Sequence, residues 1–165
     1  DKIVNEISIP TKIMIRPRQG NFIYSDLEIK LMISDIEYCK KIGINEIVLG
    51  LLKEDGEIDI KLTTQLSEIA HPMSVTFHKA IDYSNNILKG IETLCKIDNI
   101  TSILTSGGKK SALDAKDLIK KIISEFSTEI NIIVAGKITN QNLNKIHEEI
   151  GATQYHGKRI VGNLS

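Results

Sequence analysis

The sequence predicts an α/β protein of the TIM-type (β/α) barrel class, with six of the eight βα units present as a single partial domain over residues 1–165. Short apolar runs alternate with helical patterns along the chain, joined mostly by a few residues. That is the layout of right-handed βαβ units and a parallel sheet. Several strand segments also alternate in polarity: Val75 and Phe77 with Ser74, Thr76 and His78, and Ile13 and Ile15 with Lys12, Met14 and Arg16. Central strands of a doubly wound sheet are covered on both faces and read as apolar runs. In a barrel, one parity packs under the helices and the other faces a small interior that is polar near its mouth. An eight-unit barrel takes about 250 residues. This chain has 165 and starts at Asp1 rather than at a methionine, so about two βα units are expected upstream.

Ile3, Val4 and Ile7, stopped by Pro10, have the spacing of the last turns of a helix. Residues 11–16 form the first strand, which delivers Arg16 and Arg18 into a loop broken by Pro17 and Gly20. Ser25 with Glu28 is a capping-box pattern, and Ile29, Met32, Ile33, Ile36, Cys39 and Ile42 place one apolar face on the helix that follows. Gly43 stands where a helix end favours a left-handed residue. Glu46–Leu49 is the second strand, residues 59–70 a helix, and Met73–His78 the third strand. Residues 85–97 are the next helix, with Leu88, Ile91, Leu94 and Cys95 inward, and Thr101–Thr105 is the fourth strand. Ser111 with Asp114 opens a further helix, and Ile130–Val134 is the fifth strand. Thr139 caps a helix that stops at Gly151, and Thr153–His156 is the sixth strand.

Composition narrows the function. Hydrophobic residues are 41% and charged ones 25%, ordinary for a globular domain. Lys and Arg together number 21, as do Asp and Glu, so there is no net field to attract nucleic acid or an anionic membrane. No apolar run is long enough to cross a bilayer, and Asp1–Glu6 has no signal-peptide character. Two cysteines give no disulfide framework, which fits a cytoplasmic location.

The residues that could carry chemistry sit at strand ends. Arg16 shares parity with Met14 and points toward the mouth, where a guanidinium grips a carboxylate or phosphate, or else pairs with a structural carboxylate. His78, with Asp82 four residues on, fits a general base or a metal ligand whose tautomer the carboxylate fixes, or a satisfied structural histidine. His156 ends the sixth strand in the same way, whereas His71 and His147 lie near helix ends and read as solvated. The loop Thr105-Ser106-Gly107-Gly108-Lys109-Lys110 offers backbone N–H groups and two lysines to an anion, without Walker A spacing, or is a tight turn. Cys39 and Cys95 fall on apolar helix faces and read as small core residues. The catalytic candidates are thus Arg16, His78 and Asp82. The ligand-binding candidates are Arg18, Thr105, Ser106, Gly107 and His156. No metal-ligand set is assigned.

The motifs add a family. Ile15-Arg16-Pro17-Arg18-Gln19-Gly20-Asn21-Phe22-Ile23-Tyr24-Ser25-Asp26 resembles the IRPRGGDFxYSD signature of the CutC family. Asp55-Gly56-Glu57-Ile58-Asp59 resembles its DGxID, Val75–Asp82 its VTFHRAFD, and Ile103–Gly107 its VLTSG. Gly151-Ala152 followed by His156 matches its final strand. The chain departs from those patterns at Gln19, Lys79, Ile81, Lys137 and Gly157-Lys158. The resemblance implies a TIM-type barrel tied to cytoplasmic copper homeostasis, with Cu(I) as a possible ligand. It also implies that the family's strand-end cysteines belong to two earlier strands and do not correspond to Cys39 or Cys95. Two functions follow as expectations. One is copper handling, with Cu(I) as ligand. The other is an enzyme or sensor for a small anionic metabolite, bound where Arg16, Arg18, His78 and the Thr105–Gly108 loop converge. A partial barrel also leaves sheet edges that favour a homo-oligomer.

Overall fold

A computed structural model describes residues 9–162. The helix turn expected around Ile3, Val4 and Ile7 lies outside those residues. Six parallel strands form one curled sheet in the order β1 (Lys12–Met14), β2 (Glu46–Leu49), β3 (Ser74–Phe77), β4 (Ile100–Thr105), β5 (Asn131–Val134) and β6 (Gln154–Tyr155). Each strand pairs with the next in the chain, as βα units built in succession require. Among the described residues β1 and β6 are the two edges of this sheet, so the cylinder is partial.

The expected helices follow between the strands: α1 (Asp26–Lys41), α2 (Ile60–Ala70), α3 (Ile87–Leu94), α4 (Lys116–Phe126) and α5 (Leu143–Ile150). The Ser25–Glu28 capping box forms in full, with the Ser25 backbone N–H donating to Glu28 Oε2 at 2.7 Å. Ile29, Met32, Ile36 and Cys39 are the buried stripe of α1. Asp59 caps α2 and Asn86 caps α3, each by accepting a backbone N–H from three residues on.

Two helix starts differ from the sequence-based expectation. Ser111 does not open a helix. A 3₁₀ turn spans Leu113–Ala115, and α4 begins at Lys116. The Ala112 N–H is spent on the Gly136 carbonyl beyond β5, which holds this stretch across the sheet before the helix begins. Nor does Thr139 cap α5. Its backbone N–H donates to Asn142 Oδ1 at 2.8 Å, and the helix starts at Leu143.

The core lies between the sheet and the helices. Ile47, Leu49, Val75, Phe77 and Ile103 from the strands meet Met32, Ile36, Leu66, Ile91 and Leu94 from the helices, all fully buried. Ile13, Ile47 and Val75 stand side by side in register, so one parity serves that core. The other parity is mixed, with Met14 and Val48 beside Lys12, Glu46 and Thr76. Lys12 pairs with Glu46 at 2.8 Å and donates to Thr76 Oγ1 at 3.0 Å. Every strand runs the same way, so every strand end faces one mouth.

Candidate functional site at the mouth of the sheet

Two cavities open at the C-terminal ends of the strands. The smaller, about 570 Å³, lies beyond β1 and β2 and is lined by Arg16, Phe22, Lys53, Glu54, Lys79 and Tyr83, among others. The larger, about 770 Å³, lies beyond β3 to β6. Lys79 and Tyr83 line both.

Arg16 leaves β1 as the register predicts. Its Nη2 donates to the Gly20 carbonyl at 2.8 Å, and its guanidinium lies 4.6 Å from the centre of the Phe22 ring. Its Nε is buried and makes no well-formed hydrogen bond among the described residues, although the guanidinium stands within interacting reach of the Tyr24 hydroxyl. Nor does it pair with a structural carboxylate there. Phe22 was not legible as a site residue. Its ring also lies 5.0 Å from the His78 ring and 5.4 Å from Tyr83, so it roofs the histidine beneath it.

His78 sits at the end of β3 and is 3% exposed. Its Nδ1 accepts the Ala80 N–H at 3.2 Å, so the neutral ring carries its proton on Nε2. That Nε2 has no protein partner among the described residues. Burial first, and then the Arg16 charge, push the imidazole pKa down to about 4. The ring lines neither cavity, and its Nε2 is closed to solvent under Phe22 in this conformation. Gly50 makes room for this ring, since a Cβ there would stand 2.3 Å from His78 Nδ1.

Asp82 does not orient His78, contrary to the pairing their spacing suggested. Its carboxylate accepts from Lys79 Nζ, Thr105 Oγ1 and the backbone N–H groups of Ser106 and Gly108, and lies 2.9 Å from Ser106 Oγ. Burial opposes ionisation, but the hydrogen bonds from Lys79 and Thr105 and the Lys79 charge outweigh it, holding the carboxyl below its ordinary range. This knot also corrects the glycine-loop expectation. The Ser106 and Gly108 amides are spent on Asp82, and the Gly107 amide on Thr105 Oγ1 at 2.9 Å. Those amides are therefore not free for an external anion. Gly107 is buried for packing, because a Cβ there would meet that of Ala115 at 2.7 Å.

Arg18 is turned away from the mouth. Its Nε pairs with Glu28 at 2.5 Å, and its other nitrogens donate to the Gln19, Asn21 and Ile23 carbonyls. It braces the loop onto α1 and leaves Arg16 as the guanidinium at the cavity. Of the remaining ligand-binding candidates, Ser106 and His156 line the larger cavity, while Thr105 and Gly107 lie behind its wall. His147 is exposed, as expected, and also shares a 3.1 Å hydrogen bond with the Tyr155 hydroxyl. Sequence reading missed Lys137, Lys158 and Arg159 as cavity residues, although each follows a strand end.

The thiols are elsewhere. Cys39 is buried on α1 and Cys95 caps the end of α3, and burial pushes both pKa values up. Among the described residues no group of three or more His, Cys, Asp and Glu gathers to hold a metal ion. None of their helices is long and apolar enough to cross a membrane.

Parallel strands curled into part of a barrel, with polar side chains at their C-terminal ends, define a TIM-type fold, a class that places its sites at that end. A family model described as CutC matches residues 1–161. The human copper homeostasis protein cutC homolog is 41% identical over 154 residues, covering 93% of this chain and 56% of that protein. An Enterococcus faecalis family protein CutC is 36% identical over 160 residues, 94% of this chain and 76% of that one. The crystal structure of a putative copper homeostasis protein CutC from Streptococcus agalactiae superposes with a TM-score of 0.89 at 32% identity, over 96% of this chain and 77% of that one. A putative dihydrodipicolinate synthetase from Pseudomonas aeruginosa, with TM-score 0.60 and 11% identity over 93% of this chain and 48% of that one, shares the fold alone. The chain belongs to the CutC family. It spans little more than half the length of the human relative.

Proposed function

We propose that the chain serves cytoplasmic copper homeostasis, the role its relatives' names carry, and that its own contribution is recognition of a small anionic ligand at the mouth. The observation behind this reading is the pairing of Arg16 with His78. A guanidinium with an unspent Nε–H stands close enough to a neutral, buried imidazole to depress its pKa, and the Nε2 of that ring has no protein acceptor among the described residues. A buried donor without a partner costs about 1–3 kcal/mol. An oxygen of a carboxylate or phosphate that reached these two atoms, both closed to solvent in this conformation, would relieve that cost. Replacing Arg16 with Ala is expected to abolish binding of succinate or phosphate, followed by calorimetry, while the domain stays folded by circular dichroism. A variant that fails to fold would make Arg16 a structural residue instead.

Copper as Cu(I) is the second candidate ligand, supported by the relatives' names. Cu(I) favours thiolate and thioether donors. Cys39 and Cys95 lie on helices away from the mouth, so in this reading copper ligands come from outside the described residues. Titration of the full-length protein with Cu(I) tests this, and no binding at micromolar metal would remove copper as a direct ligand.

A further inference from the structure

We propose that the β5–β6 side of the mouth is a binding site for the phosphate group of a small phosphorylated metabolite, a class that deepens the anion reading above and rests on it. The larger cavity is walled by the segments that follow β3, β4, β5 and β6. Lys109, Lys110, Lys137, Lys158 and Arg159 line it, and none of the five forms an ion pair among the described residues. Its one carboxylate, Asp82, is already engaged by Lys79 and the β4 loop. The chain as a whole is neutral, with 21 basic and 21 acidic residues. So much unneutralised charge facing one concavity is therefore a local arrangement and not a consequence of composition.

Charge density and geometry select the ligand class. A carboxylate places one charge on two oxygens, and a dicarboxylate such as succinate spreads its two charges over separate groups, against five like charges that repel one another. A phosphate monoester carries roughly −1.5 to −2 at neutral pH and three acceptor oxygens, which several lysines and an arginine fork can share.

The backbone adds a second indication. Lys137 has φ +54, a left-handed conformation that glycine adopts more easily, and its carbonyl is fixed by Asn142 Nδ2 at 2.9 Å. A cationic side chain is thus kept on the cavity rim at a position where the backbone favours glycine. The amides of Ser106 and Gly108 are spent on Asp82. Side chains, and not a glycine-loop cradle, would hold the phosphate. Lys79 and Tyr83 line both cavities, so the rest of the ligand extends toward Arg16.

The test is calorimetry and thermal melting at low salt with inorganic phosphate, a sugar phosphate, a nucleoside monophosphate and succinate, on the parent protein and on Lys137→Gly. Phosphate and at least one ester are expected to bind more tightly than succinate and to raise the melting temperature. Which ester binds better separates a sugar phosphate from a nucleotide as the source. Lys137→Gly is expected to bind phosphate about fivefold more weakly, the effect of losing one charge at contact distance in water. Its ligand-free melting temperature should not fall, because glycine accepts the left-handed backbone. Succinate binding as tightly as phosphate, or unchanged phosphate binding by Lys137→Gly, overturns the proposal and leaves the general anion reading standing. If neither succinate nor phosphate binds, both fall.

Discussion

Lowering the pH from 7 to 4 should strip stability from this fold through one side chain. In the folded chain His78 is 3% exposed and its pKa is lowered from 6.5 to about 4. Between those values the unfolded chain binds a proton that the folded chain refuses, so stability rises with pH in that window and is lost as pH falls through it. The span from 6.5 to about 4, at ~1.4 kcal/mol for each pH decade, comes to about 3.5 kcal/mol. That is a large part of the 5–15 kcal/mol typical of a domain. The assay is urea unfolding at pH 7, 6, 5 and 4 on the parent chain and on His78→Asn. Asparagine Oδ1 can replace Nδ1 as the acceptor for the Ala80 N–H but does not titrate. The variant should start less stable, because it loses the ring contact with Phe22, and its stability should fall less steeply toward pH 4. An imidazole resonance of His78 that titrates near 6.5 in the folded protein would refute the reasoning, as would parallel pH profiles for the two chains.

Two further outcomes follow from the same geometry. Gly50→Ala places a methyl 2.3 Å from the His78 ring, so overpacking of about 1–3 kcal/mol is expected. Chemical denaturation measures it, and an unchanged midpoint would mean that the ring moves aside freely. Asp82→Asn removes the charge that gathers Lys79, Thr105, Ser106 and Gly108. A loss of about 2–3 kcal/mol is expected, with faster hydrogen exchange at the Ser106 and Gly108 amides. Retained protection of those two amides would show that the loop holds its shape without the carboxylate.

Much of this was legible in the chain, because periodicity and capping are local. Glu28 lies three residues after Ser25, within reach of its backbone N–H whatever the rest of the molecule does, and that box forms as read. The alternation along β3 sorted its two faces, since side-chain parity in a strand follows from the pleat: Val75 and Phe77 join the helix-side core while Thr76 meets Lys12 on the other face, although Thr76 and His78 are buried too. Arg16 and His78 stand at the same end of the sheet for the same reason, once the strands are parallel, although His78 lines neither cavity. The motifs in order then carried the family.

Partners distant in sequence were not legible. His78 and Asp82 are four residues apart, yet the 3₁₀ turn over Lys79–Tyr83 turns the carboxylate toward the β4 loop, 24 residues downstream. Ser111 and Thr139 look like helix caps, but long-range and turn hydrogen bonds hold their segments out of the helix. The five unpaired cations come from loops after three different strands, and only the curl of the sheet brings them to one cavity. Local pattern thus determined the elements, their order and which strand ends carry polar groups. The folded chain decided which of those groups are spent on one another and which are left for a ligand, because hydrogen bonds and charges are settled by proximity in space and not along the chain.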